Sequence, residues 1–262
     1  MRTAGLVMAV LLGAATAAAA QTSPAPAAPP LPSAQAYGGK TLIPAIVACT
    51  DLPTTTVPTP TFRILAPHTA DLRAGAARNE IVVLNAGTPQ GVGIGQRYFT
   101  RRISPPISRE SISAAERGAV RTTGWLTVVA ADERFALARV DYACVMVEAG
   151  DYLEPYVEPS IPATAAPDGP ANFGDMGRVL QGVDRHEAFG AGDLLSIDRG
   201  QTRGMTLGTR VAFYRDRMLG TPLVEIGIGV VVEVSPETSK VALERTSPEV
   251  RTGDYFAIRR AP

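Results

Sequence analysis

The chain has 262 residues, with 25 lysines and arginines against 25 aspartates and glutamates. That length allows one large domain or two small ones, and the lack of a basic excess excludes the electrostatic footprint of a nucleic-acid binder or a polybasic membrane-surface patch. Only two histidines and two cysteines are present, so few side chains are available for metal or nucleophilic chemistry.

The N-terminus reads MRTAGLVMAVLLGAATAAAAQ: one arginine, an apolar run from Leu6 to Leu12, then small residues through Ala20. This is the layout of a secretory signal peptide over residues 1–20, with cleavage after Ala18-Ala19-Ala20. A membrane anchor needs about 20 predominantly apolar residues, and the strongly apolar run here is far shorter. The mature protein is therefore expected to be secreted, in the periplasm, without a transmembrane span. Residues 21–40, QTSPAPAAPPLPSAQAYGGK, are dominated by proline and alanine and carry almost no charge. They are expected to form a semi-extended tether.

Cys49 and Cys144 are an even pair, and in an oxidising compartment such a pair reads as a disulfide. The loop it would close spans 95 residues, for which the loss of chain entropy is worth at most roughly 4–5 kcal/mol. The rival roles are a catalytic thiol, which needs a histidine and an orienting group, and two independent buried thiols.

A second Pro/Ala-rich stretch, residues 158–172, divides the remainder into segments 41–157 and 173–262. The two are related. GTPQGVGIGQR (Gly87–Arg97) aligns with GQTRGMTLGTR (Gly200–Arg210) at an offset of 113 residues. IVVLNAG faces LLSIDRG, GWLTVVAADERFALARV resembles GVVVEVSPETSKVALER, and each copy closes on Gly-Asp-Tyr, at Gly150-Asp151 and Gly253-Asp254. Strands are expected at Ile81–Leu84, Arg97–Arg102, Thr123–Ala130 and Phe135–Tyr142. The second copy gives Leu194–Ile197, Arg210–Tyr214, Leu223–Val234, Lys240–Glu244 and Tyr255–Ile258. All are short, rich in valine, threonine and aromatics, and bounded by turn residues. No amphipathic helix stands out; SAAE at Ser113–Glu116 allows one helical turn. The fold class is all-β: two tandem small barrels or sandwiches, closed or nearly so, produced by duplication.

The repeated glycines at Gly87, Gly91 and Gly95, and at Gly200, Gly204 and Gly208, invite comparison with a phosphate-binding loop. Such a loop lies between a strand and a helix, whereas here the glycines lead into RYFTRR and RVAFYR, which read as strands. A structural turn explains them better. Gly87 and Gly91 reverse the chain at positive φ; Val92 and Ile94, matched by Met205 and Leu207, turn inward to plug the barrel end. Arg97 and Arg210 are placed to bond the carboxylates of Asp151 and Asp254, or a turn carbonyl.

In order, the pattern is an apolar strand, Gly-x3-Gly-x3-Gly-x-Arg, an aromatic strand, a long valine-rich strand and Gly-Asp-aromatic. Over roughly residues 62–157 and 176–260 it resembles the C-terminal module of flagellar assembly protein T. It is also similar to the β modules that accompany LysM domains in bacterial envelope proteins. The resemblance implies a non-enzymatic part of an envelope assembly.

Chemistry-bearing clusters are sparse. His68 and His186 have no tight set of further ligands around them in sequence, as zinc would require, and read as loop histidines. Gly-x-Ser-x-Gly is absent. Asp132-Glu133 sits in a turn whose counterpart keeps one acid, so turn solvation explains it better than acid–base work. Trp125, at the start of a long strand, reads as a core or rim residue rather than a sugar platform. Residues 102–123 lengthen the first copy, and Arg102, Arg109, Arg117 and Arg121 there form the candidate partner surface. No cofactor, metal or catalytic residue is expected. The expected role is that of a non-enzymatic periplasmic or cell-envelope structural or adaptor protein, bound to a protein partner or to peptidoglycan. Two alternatives stand beside it. A secreted hydrolase acting on wall or polysaccharide predicts convergent carboxylates between the barrels. A small-ligand-binding barrel predicts an apolar interior cavity.

Overall fold

A computed structural model describes residues 35–53, 59–71, 73–104, 119–182, 186–217 and 222–260, all within the compact unit Leu31–Pro262. The expected signal peptide, most of the first Pro/Ala segment, Ser113–Glu116, Arg109 and Arg117 lie outside the described residues.

The described chain opens with a strap. Strands β1 (Gln35–Tyr37) and β2 (Lys40–Leu42) form a hairpin, followed by helix α1 (Pro44–Cys49) and strand β3 (Leu52–Pro53). The hairpin takes up the end of the stretch expected to be tether, residues 21–40, and runs two residues past it. Pro44 starts the helix, where its missing N–H costs nothing, and the Thr50 hydroxyl donates to Ile46 O at 2.8 Å as it ends. Six residues of PAIVAC cannot sustain a helix in water; burial of Pro44, Ala45, Val47 and Ala48 does so here.

The first module follows as β4 (Ile64–Pro67), β5 (Gly75–Ala76), β6 (Ile81–Leu84), β7 (Arg97–Ser104), β8 (Ala119–Ala131), β9 (Ala136–Ala143), β10 (Val147–Glu148) and β11 (Tyr152–Pro155). Its main sheet runs β11-β7-β8-β9-β6-β4, with β3 paired to β8. The sheet curls until its ends meet: Ile64 N donates to Asp151 O at 2.8 Å, and Leu153 N to Phe62 O at 3.0 Å. Bulges between Thr100 and Arg101 and between Val128 and Ala130 supply the curl. Ile64, Val82, Leu84, Val92, Leu126, Val128, Val140 and Val147 fill the interior.

The second module repeats this order as β12 (Ala171–Gly182), β13 (Ala188–Phe189), β14 (Leu194–Ile197), β15 (Arg210–Arg215), β16 (Val224–Val234), β17 (Ser239–Thr246), β18 (Val250–Arg251) and β19 (Tyr255–Arg259). Here β12-β14-β17-β16-β15-β19 close into a barrel. Phe189, Phe213, Phe256, Ile197 and Met205 are among the side chains that pack its inside. The fold is thus all-β with two related β bodies, as the periodicity leads one to expect.

The two copies share their joints atom for atom. Gly91 N donates to Thr88 O and Gly204 N to Gln201 O, each at 3.0 Å. Gly95 N reaches Val128 O and Gly208 N reaches Val231 O, each at 2.8 Å. Gly91 and Gly204 are left-handed, with φ of 84° and 73°, where a side chain would clash with the backbone. Gly87 differs from expectation: it and its counterpart Gly200 are extended, at φ −128° and −129°. Glycine is required there because a Cβ would run into the Asp132 or Ser235 carbonyl oxygen of the neighbouring turn. Val92 and Met205 are buried as expected, but Ile94 is 72 % exposed and Leu207 49 %. Gly95 at φ 87° and Gly208 at φ 81° swing the intervening residue outward before the next strand.

Candidate functional site

The strap joins the two modules. On the second, Tyr37, Leu42 and Val47 cover Leu194, Val230, Val232 and Ala242 on the outside of the barrel, and Lys40 pairs with Asp193 at 2.6 Å. On the first, Ala45, Ala48 and Cys49 pack with Phe99, Trp125, Tyr142 and Tyr156. Cys49 is disulfide-bonded to Cys144 with Cα atoms 5.5 Å apart. That cross-link ties the strap to the first module. Asp51, 3 % exposed, accepts two bonds from Arg121, at 2.8 and 3.2 Å.

The strap's contact with the second module centres on Lys240. Its side chain is fully buried, and Nζ donates to Val47 O at the end of α1 at 2.6 Å and to Glu233 at 3.0 Å. Burial pushes the Lys240 ammonium below its ordinary pKa, and the Glu233 carboxylate opposes that shift. Lys240 and Glu233 face each other across β17 and β16. The corresponding pair in the first module, Leu137 and Ala130, is uncharged.

The interval 158–170 is also docked rather than free. The Tyr37 hydroxyl donates to Pro162 O at 2.9 Å, Ala166 N donates to Gly208 O at 2.8 Å, and Arg210 Nε donates to Ala166 O at 2.9 Å. Ile161 and Ala165 pack against the same apolar face as the strap.

Strap, modules and this interval enclose a cleft of about 1110 Å³. Val47 and Ala48 form its back; Phe99, Arg101, Val120, Tyr152, Glu154 and Pro155 come from the first module. The second contributes Gln201, Met205, Thr206 and Leu207 of its glycine turn, and the stretch Val232–Thr238. Four carboxylates line it: Glu154, Glu158, Glu233 and Glu237. Glu154 pairs with Arg101 at 3.2 Å, Glu158 with Arg97 at 3.2 Å, and Glu233 with Lys240. Arg97 also lies over the Tyr156 ring, 3.8 Å from its centroid. Burial, then the hydrogen bond to Glu158, pushes the Tyr156 phenol up to about 12. The Tyr152 phenol is also raised, by burial first and then by the Glu154 charge.

The residues singled out in the sequence fall into two groups. Cys49 lies on the strap that backs the cleft, and Cys144 and Arg121 are the first-module residues that hold it, through the disulfide and through Asp51. Arg102 instead serves the first module's frame. It donates to both oxygens of Asp151, to Met146 O at 3.0 Å, and pairs with Glu148 at 3.1 Å. Arg215 treats Asp254 and Glu249 O the same way. The partners of Asp151 and Asp254 are therefore Arg102 and Arg215, one strand-length beyond the expected Arg97 and Arg210. The strand alternation that aims Arg97 and Arg210 outward sends them to Glu158 and to Glu244 with Ala166 O. Gly150 and Gly253 turn at φ 91° and 86° just before these aspartates.

Trp125 is 5 % exposed and stacked on Tyr142 at 4.4 Å, so it serves the core beneath α1. His68 and His186 are exposed, and among the described residues no three histidine, cysteine or acidic side chains gather as metal ligands would. Asp132 accepts bonds from Arg134 N and Phe135 N, which hold its carboxyl below the ordinary range. No helix among the described residues is long and apolar enough to cross a membrane. The sequence had pointed to the loop after Arg102; it did not point to Lys240, Glu233 or Glu154. The available signal was a lysine and a glutamate inside the apolar runs SKVAL and VVVEV.

Compared with known protein families and with characterised proteins, the chain matches none of them.

Proposed function

We propose that this protein is an exported, non-enzymatic adaptor of the bacterial cell envelope that holds a partner in the cleft between its two β modules. The observation that carries the proposal is the strap. A single segment is cross-linked to one module through Cys49–Cys144 and pinned to the other through Lys240, and it forms the back of the cleft. Building a cleft from two bodies and fixing their spacing is what a recognition surface needs, because a preorganised site loses less freedom on binding. The barrel interior supports this over small-ligand storage, since phenylalanine and branched side chains fill it.

One observation favours a second reading, that of a hydrolase acting on wall or polysaccharide: carboxylates converge in the cleft. Glycoside hydrolysis requires an acid and a base carboxyl with different duties. Here Glu154, Glu158 and Glu233 are each bonded to a cation, which fits ionised, structural carboxylates better than a desolvated general acid.

The test is to mix the mature protein with purified peptidoglycan sacculi, sediment them, and assay the supernatant for released fragments, alongside photo-crosslinking from position 157 in the envelope. Binding or a specific crosslink without release supports the adaptor. Fragment release that is lost in Glu154→Gln would establish the hydrolase instead.

A further inference from the structure

The charges that line the cleft are layered. The cations paired with its carboxylates are the more buried partners, with the Arg101 side chain 12 % and the Arg97 side chain 27 % exposed, and Lys240, outside the lining, fully buried. The carboxylates stand further out: Glu154 is 39 % exposed and Glu158 51 %, and Glu237 is exposed on the opposite wall. A ligand entering from solvent therefore meets negative potential first, and the low-dielectric walls strengthen that field. Those walls are apolar and partly uncovered, with Val157 72 % exposed and Leu207 49 %.

Tyr152 gives a second, independent observation. It is 2 % exposed and lines the cleft, yet its hydroxyl makes no hydrogen bond of ordinary geometry among the described residues and has only a longer contact with the Glu154 carboxylate. A buried hydroxyl left unbonded is disfavoured. The Glu154 carboxylate lies beside it, close enough to act on it electrostatically. A hydroxyl oxygen next to a carboxylate offers two acceptors to a single cationic donor. Beyond them, Pro155 ends β11 without an N–H, so the edge is closed to strand addition and recognition falls to side chains.

We propose that the cleft takes an extended basic segment of a protein partner, whose lysine or arginine donates to the Glu154 carboxylate and the Tyr152 hydroxyl while apolar neighbours lie against Phe99, Val157 and Leu207. This rests on the adaptor reading above and narrows it to a partner of that chemistry.

The experiment is fluorescence anisotropy of the mature protein with a labelled eight-residue peptide of three lysines, three valines and two prolines, and with its glutamate counterpart. The lysine peptide is expected to saturate and the glutamate peptide not to bind. Tyr152→Phe, which keeps the ring, and Glu154→Gln should each weaken binding about tenfold, the effect of one charge-assisted hydrogen bond. Asp132→Asn with Glu133→Gln, on the exposed turn outside the cleft, should leave it unchanged; thermal unfolding checks that every variant is folded. No saturation overturns the proposal. So does equal binding by Tyr152→Phe and the parent, or a loss in the Asp132/Glu133 variant as large as in Glu154→Gln, which would mean bulk charge alone. If crosslinking from position 157 captures a partner while the lysine peptide fails to bind, this proposal falls and the adaptor survives. Failure of both removes both.

Discussion

Arg102 holds the Asp151 carboxylate with two hydrogen bonds, at 2.7 and 3.0 Å, and the Asp151 side chain is 1 % exposed. Because Asp151 also accepts from Glu148 N at 2.9 Å, one carboxylate joins β7, β10 and the turn that opens β11. Arg215 and Asp254 repeat the joint in the second module, down to the Arg251 N bond at 2.6 Å. Breaking a buried pair strands a charge, a cost of about 3–5 kcal/mol, reduced here because the arginine is partly exposed. Arg102→Ala should destabilise the first module by about 2–3 kcal/mol in chemical unfolding. Arg102→Lys should recover little of it, since an ammonium cannot make the two parallel bonds.

Reduction of Cys49–Cys144, or Cys49→Ser, should loosen the strap from the first module. The stability lost should approach, and not exceed, roughly 4–5 kcal/mol. Intact mass counts the thiols and thermal unfolding measures the loss; two free thiols in the protein as purified from an oxidising compartment would contradict the cross-link.

Lys240→Ala removes one of the two donors to Val47 O, leaving Thr50 N, and deprives Glu233 of its cation. Hydrogen exchange at the amides of residues 45–50 should accelerate, while the interior of the first module, around Leu126 and Val140, should not respond. Lys240→Met should be more stable than the alanine variant, because both lose the charge while methionine fills the cavity that alanine leaves.

A fragment of residues 173–262 should form β structure, since its barrel closes on itself. It should also self-associate, because Leu194, Val230, Val232 and Ala242 lose the strap that covers them. Val230→Thr, copying Thr127 at the matching position of the first module, should shift the fragment toward monomer in size-exclusion chromatography.

Tyr156 gives the alkaline prediction. Its phenol keeps its proton to about pH 12 when folded, against an ordinary value of 10.0. Its contribution is therefore whole below about pH 10 and is lost as pH climbs toward 12, where the unfolded chain releases the proton first. Absorbance titration at 295 nm should lose its step near pH 12 in Tyr156→Phe.

The parts of the fold legible in the sequence are those where backbone geometry dictates a residue type. Gly91 and Gly204 announce a left-handed turn, and the alternation of β7 and β15 announces strands. The duplication was legible because these constraints recur in the same order. The strap was not, because nothing local in QAYGGKTLIPAIVAC states that its partner is a lysine far down the chain. The divergence of the outer faces is readable in retrospect. Val230, Val232 and Ala242 make the second copy's strands apolar on both sides, as in sheets covered on both faces. Thr127, Arg139 and Asp141 keep the first copy's strands polar outside, joined by bonds from Thr127 and Arg139 to Asp141. The cleft depends on both the strap and that divergence, so it lay beyond a copy-by-copy comparison.

Val47 and Lys240 are separated by 193 residues, so their contact is among the longest-range in the fold. The strap's anchors on the first module are nearer to it in sequence, whereas its other face must wait for β17. The cleft is thus complete only once β16 and β17 have joined the fold, since both the docked strap and the stretch Val232–Thr238 line it.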